Sequence, residues 1–369
     1  MSLRVTVQTT AKGRSQIIVP LRFRRAVTGA PVADAPDIDD RGWVNHRAAG
    51  LNVDDARGTL FGAMVGDTVR LRVTREDIDD VPMFVGVSGD QVAVDQPAGG
   101  GPLPASGVLS VTAVKDTTTG TKVQIHLGTA DGPVICEADA HVFSPFTLNV
   151  TPHICVIHQS AGAATGTGVT PSVNGAALDD AQIATLFETV SAIWRPAGVR
   201  FNVGAARTEV FTGFTRDDFA GMAPPSGVNE IDRVLGTNQS GHSCNLYFVR
   251  FTPGFLGLGV RFERRALNGV THSGIIVGVE GFATDDAGAN LTNRPSAGDD
   301  LIQELSNDIA HEFGHFLTCN HADNVGSPGL NDTYGRRQLM HPINLLPPAL
   351  GRSSRSFERH FPCKVLKAL

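Results

Sequence analysis

The first 150 residues alternate apolar and polar side chains in short runs that predict β-strands rather than helices. These runs lie at 3–7, 16–23, 68–73, 83–87, 108–114, 122–127 and 134–142. Turn-forming clusters at 116–120 and 128–132 have hairpin spacing, and 96–107 is a loop rich in Gly and Pro. About seven short strands without helices favour an antiparallel β-sandwich of immunoglobulin-like type. No reactive cluster stands out in it, so an accessory support or adhesion domain is expected.

After residue 151 the pattern changes to strands mixed with helices. A helix is predicted over 178–196, because Asp179 and Asp180 can cap its start and Gly198 can end it. Its apolar positions recur with a 3.6-residue period. They are Ile183, Leu186, Phe187, Val190, Ile193 and Trp194. Strands are predicted at 153–158, 199–203, 245–251, 258–262 and 274–279, followed by a second helix over 299–318. This half therefore predicts an α+β domain with a mixed sheet.

Length and composition add limits to this picture. A chain of 369 residues exceeds what one core usually supports, so two domains are expected, at 1–150 and 151–369. The hydrophobic fraction of 41% and the charged fraction of 18% suit a folded protein. A net charge of −6 gives no electrostatic case for nucleic acid or an anionic membrane as partner. No window reaches the roughly 18 apolar residues of a membrane span, and the oligomeric state stays open.

A cluster of histidines near the end of the second helix carries the chemistry. At 100° per residue, His311 and His315 lie one turn apart on one side of the helix, where both imidazoles can reach a single ion. Glu312 emerges beside that ion without having to bind it, as a general base on a metal-bound water must. His321 can reach the same ion if the chain turns back, and Asn320 can supply a left-handed turn. Three histidines leave one position open, which is typical of a catalytic zinc site.

The segment from His311 to His321 resembles the extended motif of the metzincin zinc peptidases, H-E-x-x-H-x-x-G-x-x-H followed by a methionine turn. The three histidines and the glutamate match position by position, whereas Thr318 stands where the family has glycine. Met340, in Leu-Met-His-Pro, resembles the methionine of the turn and would form an apolar floor beneath the zinc. The resemblance covers 151–369 and not the sandwich, and it implies one catalytic Zn²⁺ in a horizontal cleft.

Other residues near the turn are candidates for the site. Tyr334 and His341 could contact substrate or a developing oxyanion. Pro342 occupies the position at which some metzincins carry a metal-binding tyrosine. Another zinc architecture takes its third ligand from a downstream glutamate, and Glu358 would then replace His321. Asp and Asn oxygens in the loop 323–332 could hold calcium, although their spacing matches no EF-hand.

Five cysteines are too few and too scattered for a disulfide framework. Core thiols are therefore expected. Two alternatives are a bond between Cys319 and Cys363, which would tie the C-terminal segment to the second helix, and Cys136 as a thiolate that holds the zinc in a latent state.

The resemblance implies a zinc-dependent endopeptidase with a protein or peptide substrate. Glu312 would take a proton from the zinc-bound water and pass it to the departing amine. An extended substrate would add a strand to a sheet edge at 258–262 or 270–275, and 343–346 would wall the pocket beyond the cut. Two alternatives stay open: an inactive zinc-containing binding or adhesion protein, and a zinc hydrolase of a non-peptide substrate. Because metzincins with accessory β-domains usually act outside the cell, secretion is expected, although the first residues show no leader pattern.

Overall fold

The computed structural model describes residues 6–9, 15–18, 21–25, 59–75, 81–117, 120–157, 168–211, 230–241, 243–253, 257–260, 266–267, 270–271, 273–283, 291–293 and 299–317. These ranges contain twenty-two strands and three α-helices. None of these helices has the length and apolar character needed to cross a bilayer. The described part of the chain is mostly β-sheet with few helices, as in a multidomain β-rich protein.

Eleven strands precede residue 144. They are β1 (Thr6–Thr9), β2 (Ser15–Ile18), β3 (Leu21–Arg25), β4 (Thr59–Met64), β5 (Thr68–Arg75), β6 (Met83–Ser88), β7 (Val92–Gln96), β8 (Gly101–Pro102), β9 (Val108–Ala113), β10 (Thr121–Leu127) and β11 (Val134–Phe143). Strands β1 and β2 pair with each other. One sheet has the order β3-β5-β9-β7 and another the order β4-β11-β10-β6-β8. Neighbours in these two sheets are antiparallel, except that β4 runs parallel to β11.

The two larger sheets share one hydrophobic core. Strands β4 to β7 and β9 to β11 each contribute buried residues to it. Burial alternates along β9 and β10, so one face of each strand points into the core and the other lies nearer to solvent. Two sheets packed face to face on one core form a β-sandwich.

Most strand predictions in this half agree with the structure. The predicted strands at 68–73, 83–87, 108–114, 122–127 and 134–142 are confirmed as β5, β6, β9, β10 and β11, whereas 16–23 covers two strands and β4 and β7 were not predicted. The hairpin at 128–132 is confirmed, because it joins the paired strands β10 and β11. The hairpin at 116–120 is wrong, since β9 and β10 belong to different sheets. Turn residues indicate a chain reversal but not the sheet that the next strand joins.

Eleven strands and the three helices follow. They are β12 (Phe146–Ile157), β13 (Ser172–Val173), β14 (Ala176–Ala177), β15 (Val199–Val203), β16 (Arg207–Phe211), β17 (Cys244–Pro253), β18 (Gly257–Val260), β19 (Ala266–Leu267), β20 (Val270–Thr271), β21 (Gly274–Ala283), β22 (Leu291–Asn293), α1 (Asp180–Trp194), α2 (Glu230–Leu235) and α3 (Asp299–Phe316). Seven strands form one sheet in the order β15-β12-β17-β21-β18, with β16 beside β12 and β22 beside β21. Its pairs are parallel except those of β18 and β22, so the predicted mixed sheet is confirmed.

Helix α1 forms as its sequence predicts. The side chain of Asp179 accepts from the amide of Gln182, and the Gln182 side chain bonds the Asp179 amide in return, which completes a capping box. All six apolar residues of the predicted face are buried. A short 3₁₀ turn over Arg195–Ala197 follows, and Gly198 ends it with a left-handed φ of 78°.

Helix α3 packs on the same core as α1 and the seven-stranded sheet. Of its predicted core residues, Leu301, Leu305, Ile309, Phe313 and Phe316 are buried and Ile302 is partly buried against the cluster. The indole Nε1 of Trp194 donates to the carbonyl oxygen of Ala310 at 3.1 Å. Together these contacts fix the rotation of α3 about its own axis and so determine which residues it presents away from the core.

The sandwich and the seven-stranded sheet join directly. Only residues 144 and 145 separate β11 from β12, and the predicted division after residue 150 lies within β12. A Cβ atom on Gly198 would lie 2.7 Å from Cβ of Phe143, so the end of α1 contacts the last sandwich strand. Arg195 Nε also donates to Oδ2 of Asp67 at 2.7 Å across this junction.

Candidate functional site

His311 and His315 face each other on the last turns of α3. Their Nε2 atoms are 3.1 Å apart, and the ring centroids are separated by 4.8 Å with the planes at 79°. His311 is buried and His315 is half-buried. Two tetrahedral zinc ligands at 2.0–2.1 Å from the ion lie about 3.3 Å apart. The observed separation is close to that value, so the donor type and the spacing of this pair both fit a zinc ion.

Glu312 follows His311 on α3, and its carboxyl group is buried. The backbone amide of Gly259 hydrogen-bonds this carboxyl group. Within the described residues, no donor reaches its Oε2 atom. The pKa of Glu312 is raised from 4.5 to about 8, chiefly by burial and also by the negative charge of Asp308, while the Gly259 amide opposes the rise. A carboxyl group of such a pKa can both accept and donate a proton near neutral pH.

Strand β18 runs along the helix at this point. It stands at one end of the sheet order and pairs with β21 from Gly257 to Val260. Residues 258–260 of the first predicted edge, 258–262, therefore belong to a terminal strand, and 261–262 lie outside the described residues. The second, 270–275, is divided: Val270 and Thr271 form β20, which pairs with β19, whereas Ile275 lies in β21 and is paired on both sides by β17 and β18.

Several predicted site residues lie outside the described residues, which end at Leu317. They are His321, Tyr334, Met340, His341 and the alternative ligand Glu358, together with Cys319, Cys363 and the loop 323–332. The described part of the chain brings together His311, His315 and Glu312 but contains no group of three side chains that could hold a metal ion. The third ligand remains a prediction from the sequence.

The three described cysteines are core thiols. Cys136, Cys155 and Cys244 are in no disulfide. Burial, with a smaller contribution from the charge of Glu137, raises the pKa of Cys136 to about 12, and burial raises the pKa of Cys155 and Cys244 well above 9.0. Cys136 lies on β11 and packs against the core of the sandwich, not on the helix that carries the histidine pair. These observations argue against a latency role for Cys136.

A second buried polar cluster connects three strands of the sheet. His153 Nδ1 lies 2.9 Å from Oε1 of Glu209, and His153 Nε2 lies 3.1 Å from Oδ1 of Asn245. The imidazole stacks on the ring of Tyr247 with centroids 4.4 Å apart. His153 is fully buried, and both ring nitrogens have partners. The cluster is buried and joins β12, β16 and β17, so it holds these three strands together.

Sequence reasoning missed three residues beside the candidate base. Gly257 and Gly259 lie against Glu312 from β18, and Asp308 lies one helical turn before it. The sequence carried two usable signals: Asp308 is four residues before Glu312 and thus on the same helix face, and Gly-Leu-Gly places two glycines on one face of a strand.

Comparisons with known proteins do not identify a family. No family model and no curated protein matches the chain. Among solved structures, domains 4 and 5 of the S-layer protein SbsC are 18% identical and match 24% of this chain and 48% of theirs at a TM-score of 0.14. A sialyltransferase from Photobacterium damsela is 9% identical and matches 54% of this chain and 36% of its own at 0.21. The tandem Ig repeats of Dlar are 15% identical and match 27% of this chain and 57% of theirs at 0.15.

The matches therefore span about a third to just over half of those structures, from 36% to 57% of their length. At such TM-scores they carry no argument about fold or function. The candidate site is interpreted from its own geometry.

Proposed function

We propose that the chain is a zinc-dependent endopeptidase with a metzincin-like catalytic domain and an immunoglobulin-like accessory sandwich. The observation that carries this proposal is the 3.1 Å separation of the His311 and His315 Nε2 atoms next to the buried carboxyl group of Glu312. A hydrolytic zinc site needs imidazole ligands for the ion and a nearby carboxylate that does not bind the metal and can act as a general base.

His311, His315 and, by the motif spacing, His321 would hold the ion. When bound there, zinc supplies a Lewis acid that polarises the scissile carbonyl and lowers the pKa of a coordinated water. Neutral imidazoles leave the charge of the ion undiminished for this purpose. The 3.1 Å separation of the two Nε2 atoms supports their assignment as a pair of ligands to one ion.

Glu312 would move the proton. Its Oε2 atom is buried and has no hydrogen-bond partner within the described residues, so it is available to accept a proton from the attacking water. Desolvation raises the pKa of this carboxyl group, and the same group can pass the proton to the departing amine. Desolvation, which is the main cause of this pKa, also strengthens the electrostatic interaction of the carboxylate with a nearby cation.

An extended peptide would bind along β18. This strand ends the sheet order and lies next to Glu312 and His315. The free edge of a terminal strand offers backbone amides and carbonyls to which a peptide can add as a further strand. An endopeptidase needs such backbone recognition, because it must bind chain on both sides of the cut.

The proposal is tested by digestion of casein with and without a chelator, together with elemental analysis. Zinc at about one ion per chain and chelator-sensitive cleavage are expected. Glu312→Gln should keep zinc and lose turnover, whereas His321→Ala should lose zinc affinity. Bound zinc without cleavage of any peptide would refute the peptidase assignment and favour a binding protein or a non-peptide hydrolase. Normal zinc content in His321→Ala would instead point to Glu358 as the third ligand.

A further inference from the structure

Strand β18 lies so close to Glu312 that there is no room for a side chain at Gly257 or Gly259. A Cβ atom built on Gly257 would lie 2.5 Å from Cγ, 2.7 Å from Oε1 and 2.9 Å from Cδ of Glu312. On Gly259 it would lie 2.3 Å from the Glu312 carbonyl oxygen and 3.0 Å from Cβ of His315. Non-bonded carbon atoms pack at about 3.5–4.0 Å. Any other residue at 259 would therefore push the strand and the helix apart, whereas any other residue at 257 would displace the side chain of Glu312.

Backbone conformation does not account for these two glycines. Neither has the positive φ that favours glycine over other residues. They are two residues apart and share one face of the strand, whereas Leu258 between them packs against the cluster that contains Tyr247 and Ile276. What the two glycines have in common is that each leaves room for a residue of α3 to lie against the strand.

The two glycines contact different parts of the helix. Gly257 faces the side-chain atoms of Glu312, whereas Gly259 faces the helix backbone and the base of His315. The Gly259 amide also bonds the carboxyl group of Glu312, and Oε2 is left without a partner among the described residues. One side of the carboxyl group is thus held by the strand, and the other is available.

We infer that Gly257 and Gly259 are positioning residues that orient the Glu312 carboxylate toward the histidine pair, an inference that rests on the proposed function. Gly257 leaves the volume in which the side chain of the base lies. Gly259 sets the distance between strand and helix, and through it the position of His315. Both act on the reaction through Glu312 and His315 and touch no substrate by means of a side chain.

A double-mutant cycle on the full chain tests the packing of Gly257 against Glu312. It requires neither enzymatic activity nor bound metal. Urea unfolding is followed in the presence of a chelator. Gly257→Ala should lower the urea midpoint in the wild-type background and have little effect in the Glu312→Ala background, because that change removes Cγ, Cδ and Oε1. Gly259→Ala should lower it in both, since its closest contact is a backbone oxygen. Gly204→Ala is the matched control, because its Cβ would meet only the Val150 carbonyl oxygen at 3.5 Å.

Kinetics then tests the link to catalysis. Gly257→Ala should reduce kcat about 10²-fold, the loss that a misplacement of 1 Å can cause, while KM and zinc content stay unchanged. An equal shift of its urea midpoint in both backgrounds, or full kcat in the single variant, overturns the inference. A wild-type chain that cleaves no peptide refutes the proposed function instead, and the unfolding cycle distinguishes that case because it does not depend on turnover.

Discussion

Replacing Phe313 by alanine tests how α3 is held. Phe313 lies between the two histidines in sequence but on the opposite side of the helix, where it is fully buried. Its ring centroid is 4.7 Å from that of Phe201 and 6.0 Å from that of Phe187. Truncation of a buried Phe to Ala costs about 3–5 kcal/mol, of which two aromatic contacts supply about 0.5–1.5 kcal/mol each. Stabilities of about 5–15 kcal/mol are usual, so the loss should be a large fraction of the total.

The assay is urea unfolding followed by circular dichroism, with Phe313→Leu as the control that keeps part of the ring volume. The free energy of unfolding should fall by about 3–5 kcal/mol in the alanine variant and by clearly less in the leucine variant. Because the ring faces away from the histidines, the zinc content of the folded alanine variant should not change. A loss below about 1 kcal/mol, or equal losses in both variants, would refute the packing described for α3.

Four further predictions concern other parts of the molecule. Asp179→Ala should lower the free energy of unfolding by about 1 kcal/mol through loss of the cap, and Asp179→Asn by less, as measured in urea. Because its pKa is raised to about 12, Cys136 should be alkylated slowly at pH 8 in the native protein and rapidly after denaturation. Labelling of the native protein should become faster as the pH rises, and peptide mapping measures the extent of labelling at Cys136. His153→Leu should cost about 1–3 kcal/mol in urea unfolding because the buried Oε1 of Glu209 loses its hydrogen-bond partner, and Glu209→Leu added to it should restore part of the loss. Chelation should lower the melting temperature of the wild type but hardly that of His315→Ala.

Helix α1 shows which part of the fold the sequence predicts well. Its cap at Asp179, its apolar period and its end at Gly198 are local signals within one stretch of chain, and the structure agrees with each. The sandwich strands are likewise visible as alternating runs. The parallel pairing of β4 with β11 and the separation of β9 from β10 into different sheets were not predicted. These pairings depend on contacts between distant segments, which alternation and turn residues do not encode.

In the candidate site, too, local features could be predicted from the sequence and contacts between distant segments could not. The facing of His311 and His315 results from the geometry of a single helix, and four-residue spacing is sufficient to predict it. The contact of Gly257 and Gly259 with Glu312 joins a strand to a helix that begins only at Asp299, far along the chain. The pattern Gly-Leu-Gly predicts two small residues on one face, but not which element lies against that face.

The two-residue connection between β11 and β12 limits how the chain can be divided. Residues Phe146 to Val150 pair with β15 along one border of the seven-stranded sheet. A truncation that starts at residue 151 would remove this entire pairing and leave the amides and carbonyls of β15 exposed. A shortened protein intended to isolate the C-terminal half should therefore begin at residue 145 or earlier.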